Sequence, residues 1–227
     1  MSWNDIVNSV KGIIGTKFSF PTKARPLTQK DIEPTLPLKI DFTNARVWTY
    51  IVMHHSYSPD SANINDWEGI RKYHTSWRFS GNTITEQKAR ELIKQGEQGV
   101  EAPWPTIGYH FGVEEDRKEN PLGEYVYRLG CSLARTGYHT KGFNEKAIGI
   151  CLVGNYGGNF DGKDGREPTE VQIIMLEKLV KYLMWKFQIP ASRVLGHRET
   201  YKMLDKPQEK TCPGTHFDML KFRQGLL

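Results

Sequence analysis

Cysteine is scarce in this chain of 227 residues, with three, at positions 131, 151 and 212. An odd number at such scattered spacing does not make a disulfide framework, and a reducing compartment is the simpler expectation. Long apolar runs are missing as well. Nothing approaches the ~18 consecutive residues of a membrane-crossing helix. The N-terminus has no basic cluster ahead of an apolar stretch, and Asp5 falls where a secretory signal is positive. Synthesis without a signal peptide, in the cytoplasm, is therefore expected. No internal repeat or low-complexity tract is found.

What is present points to a packed enzyme-sized domain with an appendage. Hydrophobic residues make up 38% of the chain and include six tryptophans, enough for a core, while 25% charged residues favour solubility. The net charge of +5 suits polyanions, whether nucleic acid, anionic lipid or the acidic polymers of a bacterial wall, and its sign does not choose among them.

Along residues 3–14, Trp3, Ile6, Val7, Val10, Ile13 and Ile14 recur at three- and four-residue steps, the pattern of an amphipathic helix. Such a helix either docks on the main domain or, with Trp3, Lys11 and Lys17 suited to an interface, contacts a membrane surface or a partner. Pro21, Pro26, Pro34 and Pro37 then favour an extended linker or strap. Residues 1–40 are thus set apart from a domain spanning 41–227. Residues 47–55 read as a buried strand ending in His54 and His55, whose side chains must point to opposite faces. INDWEGIRKYH reads as a helix capped by Asn65 or Asp66, with Trp67, Ile70 and Tyr73 turned inward. TEQKARELIKQ is a second helix whose sparse apolar face suggests a surface insertion.

IGYHFGVEED and GEYVYRLGCS form an expected antiparallel hairpin around Asn120, Pro121 and Gly123, and AIGICLVGN is another apolar strand. A capping-box pattern over Thr169 to Gln172 opens a long helix through Met175, Leu176, Leu179, Val180, Leu183 and Phe187. A strand in ASRVLGH and a helix in FDMLKFRQGLL close the chain. This order gives an α/β fold with a central, mostly mixed β-sheet flanked by helices.

The chemistry concentrates in VLGHRETYKMLDKPQEKTCPG, a loop-rich segment holding His197, Cys212 and, just before the cysteine, Lys210. An imidazole and a thiolate suit zinc, and a catalytic zinc takes three protein ligands and keeps one position open. His54 is the candidate third ligand, because binding loops converge at strand ends. Spacing alone does not verify ligands so far apart in the chain.

IVMHHS, WPTIGYHF, TGYHTKGFNEKAIGICLVGN, LGHRET and KTCPG, in that order from about Val47 to Phe222, resemble the amidase type 2 superfamily. It comprises zinc-dependent N-acetylmuramoyl-L-alanine amidases, including phage endolysins, and the peptidoglycan recognition proteins. The resemblance implies zinc ligands at His54, His197 and Cys212, with His55 facing away. It implies catalytic roles for Tyr109 and Lys210, and places His139 against substrate. Read as residues alone, Lys210 has an alternative reading as a solvated charge, Tyr109 as a core residue, and His139 as part of a turn.

Where some branches carry a glutamate, this chain has Cys151, so it resembles the tyrosine and lysine branch. The stretch from Thr75 to Pro103 is longer than the usual connection and is expected to wall the cleft. His74, His110 and His216, and the thiols of Cys131 and Cys151, which sit in apolar strands, are expected to be structural.

The activity so implied is cleavage of the amide between N-acetylmuramic acid and L-alanine of the peptidoglycan stem, by a monomeric endolysin that meets the wall after release from the host cytoplasm. Peptidoglycan is the expected partner, with membrane contact through the N-terminal helix open and no nucleic acid expected. A non-catalytic peptidoglycan-binding protein is the alternative, and Cys212, which such members lose, argues against it. A further role in inhibiting RNA polymerase has no identifiable surface in the sequence.

Overall fold

The computed structural model describes residues 36, 38–58, 66–115 and 125–227. The expected N-terminal helix, the prolines of the linker and the hairpin turn around residue 120 lie outside them. The sheet has five strands: β1 (Tyr50–His55), β4 (Phe111–Glu115), β5 (Tyr125–Leu129), β6 (Ala147–Leu152) and β7 (Val194–Gly196), in the order β5-β4-β6-β1-β7. Strands β4, β6, β1 and β7 run parallel, and β5 pairs antiparallel at the edge. Parallel strands covered on both faces read as continuous apolar runs, and β6, AIGICL, is buried at every position.

Strand alternation divides the layers. Ile51 and Met53 of β1, with Ile148, Ile150 and Leu152 of β6, face the 18-residue helix α3 (Glu170–Phe187) and its Leu176, Leu179, Val180 and Leu183. Each such side chain removed from water contributes about 1.5–3 kcal/mol before entropy is counted. Leu36, Leu38, Ile40 and Phe42 pack on the same core. The opposite face carries Val52 and His54, in register with Gly149 and Cys151. It is this face that holds the chemistry.

Local expectations were met in part. Thr169 caps α3 by accepting from the Gln172 N–H at 3.2 Å, but the Gln172 side chain does not reach back. It is buried, accepting from the Tyr156 hydroxyl at 2.7 Å and donating to the Val153 carbonyl at 3.3 Å, so only half of the capping box forms. In helix α1 (Asp66–His74), Trp67 is buried as expected, but Tyr73 is 38% exposed. The Arg78 guanidinium covers its ring at 5.4 Å, which gives the ring a partner without a core position. Asp66 is already helical, so it is not the cap.

The long connection folds as a two-stranded ribbon, β2 (Trp77–Phe79) with β3 (Asn82–Ile84), followed by helix α2 (Glu86–Lys94), which Thr85 caps. Cys131 is buried but lies beyond the end of β5 rather than in a strand. The segment after β7 is not all loop: His197 begins a short helix, α4 (His197–Met203), and α5 (Met219–Gly225) closes the chain. No helix among the described residues is long and apolar enough to cross a membrane.

Candidate metal centre and active site

Two strand ends and a loop converge at the carboxyl edge of the parallel strands, where open α/β sheets place their ligands. His54 is the fifth residue of β1, His197 follows β7 directly, and Cys212 lies in the loop between α4 and α5. One donor atom from each, two imidazole nitrogens and a sulfur, lie within 4.8 Å of one another. His54 Nδ1 is 3.5 Å from Cys212 Sγ. Nitrogen and sulfur ligands about 2.05 and 2.3 Å from a tetrahedral zinc stand about 3.6 Å apart, so the donor set fits that ion in identity and spacing. His55 points to the other face, where its Nδ1 accepts from the Tyr156 N–H at 3.1 Å.

Burial keeps the ligands neutral. It drives the His54 pKa well below its usual value, helped by the neighbouring His197, His139, His55 and Lys210. Burial, followed by the Lys210 charge, lowers His197 to about 4. The Cys212 thiol is pushed up to about 12 by burial, against the opposing effects of the His55 backbone N–H, Lys210 and Arg198. The Cys212 thiol and His54 Nδ1 stand within hydrogen-bonding reach of each other. A metal ion taken up there would displace the thiol proton, so uptake would be coupled to proton release.

The loop carrying Cys212 is fastened to α4 by Arg198, a residue for which the sequence offered no signal because all its partners are main-chain carbonyls. Its guanidinium donates to the carbonyls of Thr211 at 3.0 Å, Phe217 at 2.7 Å and Gly214, and its backbone N–H donates to the Cys212 carbonyl at 2.8 Å. The helix itself is held by Glu199. That carboxylate accepts from the Gly196 N–H at 2.8 Å and pairs with Arg223 at 2.7 Å.

Tyr109 lies just ahead of β4, with its ring centroid 5.2 Å from that of His54. Burial, then the neighbouring Cys151 and Cys212, raises its pKa well above the usual phenol range, and its hydroxyl donates to the Cys151 sulfur. The hydroxyl is therefore protonated at neutral pH. Cys151 thus touches the site, which its reading as a buried structural thiol did not foresee. Lys210 is exposed, and its positive charge is felt at His54, His197 and Cys212.

His139 sits against His54. Its Nδ1 is 3.1 Å from His54 Nε2, and its Nε2 is 3.1 Å from the Ala147 carbonyl. Both ring nitrogens face protein atoms. The ring lies flat over Gly149, where a Cβ would come within 2.6 Å of it. A glycine inside an apolar strand marks such a close approach, and Gly149 is the signal of it in the sequence. His74, His110 and His216 hold backbone partners: Gly108 N–H, Gly149 N–H with the Arg135 carbonyl, and the Asp164 carbonyl. The inserted ribbon reaches the site indirectly, with buried Arg78 over the ring of Trp104, which stacks on the half-exposed Tyr138.

The model of the N-acetylmuramoyl-L-alanine amidase family designated Amidase_2 matches residues 44–215. The chain belongs to that family. The matched span contains His54, Tyr109, His139, His197, Lys210 and Cys212. Peptidoglycan-recognition protein LB of Drosophila melanogaster is 24% identical over 192 residues, covering 84% of this chain and 65% of the relative. The endolysin of Escherichia phage T7 is 30% identical over 122 residues, covering 54% of this chain and 67% of the relative. The chain thus spans about two thirds of the length of these relatives. Among solved structures, the amidase LysCS from Clostridium intestinale URNW is similar over 85% of this chain and 90% of its own, at 23% identity and a TM-score of 0.46.

Proposed function

We propose that this amidase-family chain is a zinc-dependent N-acetylmuramoyl-L-alanine amidase that cleaves the bond between the lactyl group of N-acetylmuramic acid and L-alanine in peptidoglycan. The observation that carries the reading is the set of three donors, His54, His197 and Cys212, within 4.8 Å in a chain of that family. A zinc ion held there supplies Lewis-acid polarisation of the amide carbonyl and a water made nucleophilic at neutral pH.

The chain's own groups do the rest. Tyr109, kept protonated by its surroundings, donates a hydrogen bond to the carbonyl oxygen as negative charge develops there. Lys210 brings its ammonium to the same oxygen from the solvent side, steadying the tetrahedral intermediate electrostatically. His54 and His197, neutral at pH 7, keep lone pairs available for the ion. Retention of Cys212 favours catalysis over mere binding of the polymer. The role is that of an endolysin acting on the wall, with positive charge and the N-terminal segment assisting contact with it.

The test is release of new alanine N-termini from purified sacculi, with turbidity followed in parallel. Loss of cleavage on chelation and in His197→Ala is expected. Undiminished cleavage by chelated wild type and by His197→Ala refutes the zinc mechanism.

A further inference from the structure

Resting on the zinc reading only in taking His54 as a ligand, we infer that His139 is a positioning residue, which fixes the tautomer of His54 and so frees the nitrogen that faces Cys212 and His197. The contacts run in one direction. The Ala147 carbonyl, 3.1 Å from Nε2 of His139, has only lone pairs to offer, so that nitrogen carries the proton and donates. A neutral imidazole has a single N–H, so with Nε2 of His139 donating to Ala147 its Nδ1 is left bare. That bare nitrogen faces Nε2 of His54 at 3.1 Å. Two lone pairs at that distance repel, so His54 carries its single proton on Nε2. Its Nδ1, 3.5 Å from Cys212 Sγ, is then the free donor.

Thr140 does not break the sequence. Its buried hydroxyl lies 3.0 Å from Nδ1 of His139 and 3.3 Å from Nε2 of His54. It can accept from His54 and donate to His139, which keeps the His54 proton on Nε2. The opposite orientation would set two bare nitrogens against each other. The seat of His139 is built by the sheet and the turn before it: Gly149 clears the space beneath the ring, and the Asn144 side chain accepts from the His139 and Thr140 backbone N–H groups at 3.0 and 2.7 Å. A main-chain carbonyl of β6 thus sets the donor geometry of a ligand on β1. Outer partners of this kind are worth 10–100-fold in metal affinity or activity.

Two substitutions separate positioning from simple packing. Asparagine places a carbonyl oxygen where Nδ1 of His139 stands, keeping the acceptor for His54 and losing the bond to Ala147. Glutamine reaches Ala147 and loses the acceptor. Zinc affinity, measured by competition with a chelating dye, is expected to fall 10–100-fold in His139→Ala and His139→Gln, and by about threefold or less in His139→Asn. Rescue by glutamine but not asparagine, or wild-type affinity in all three variants, overturns the inference.

Nitrogen-15 NMR of the metal-free wild-type protein reads the His54 tautomer directly. A proton on Nε2 is expected, and a proton on Nδ1 overturns the inference whatever the variants do. Failure of the wild-type protein to bind zinc overturns the metal reading instead, and the tautomer measurement still decides this one.

Discussion

Replacing Arg198 with methionine tests how the site is held together. The substitution keeps most of the aliphatic stem and removes the guanidinium, and with it the hydrogen bonds to the carbonyls of Thr211, Gly214 and Phe217. Hydrogen bonds to a charged group contribute about 1.5–3 kcal/mol each, so the simple sum is a ceiling of several kcal/mol. Arg198 is only half-buried, and water can replace part of what is lost, which brings the expected destabilisation to about 2–4 kcal/mol. The loop keeps other anchors. Thr211 Oγ1 donates to the carbonyls of Gly157 and Gly158, and the His216 N–H donates to the Tyr156 carbonyl. The domain should therefore still fold, with Cys212 less firmly seated and zinc bound roughly 10–100-fold more weakly. Urea unfolding gives the first quantity and chelator competition the second. Arg198→Lys should recover only part of either, since one ammonium cannot serve three divergent carbonyls. A destabilisation below about 0.5 kcal/mol, together with unchanged zinc affinity, would show that the loop is positioned by its other contacts.

Tyr109→Phe should retain zinc and lose about 10²–10³-fold in turnover, the usual effect of deleting one donor to a developing oxyanion; steady-state cleavage of a muramyl peptide beside a zinc assay checks both halves. Lys210→Ala should lower turnover while changing stability by less than about 0.5 kcal/mol, because the side chain is exposed. Acid should destabilise the fold through His74 and His110, both lowered to about 4, His74 by burial and then Arg78, His110 by burial. With folded values below the unfolded 6.5, their contribution is full above pH 6.5 and is lost as pH falls toward 4, at about 2–3 kcal/mol each by pH 4.5. Urea curves at pH 7 and 4.5 for wild type and His110→Asn measure this, and an identical pH dependence in the two proteins would contradict it.

The parts of the fold visible in the sequence are those dictated by periodicity and burial. β1, β6 and the long helix α3 announce themselves through apolar runs and a capping threonine, and the proposed metal ligands through residue types suited to zinc in the context of five family motifs. The ribbon of β2 and β3 is too short to show a period. Gln172 looked like half of a capping box because sequence records neighbours along the chain, whereas Tyr156 and Val153 compete for its amide in space. Tyr73 looked like a core residue because an aromatic at helical spacing usually is one, but a cation on the next strand covers it instead. Arg198 and His139 carry the least sequence signal. Their main-chain partners, carbonyl groups, are present at every residue and leave no trace in composition. For His139, Gly149 was the available clue.

The central claim is that one metal ion held by His54, His197 and Cys212 makes the chain an amidase. Zinc titration of the chelated protein, with release of alanine N-termini from sacculi followed at each addition, tests it most directly. Activity should rise linearly and stop at one equivalent of zinc, and Cys212→Ser should remain inactive at that stoichiometry. Full cleavage before any zinc is added, or recovery by Cys212→Ser equal to wild type, would contradict the account.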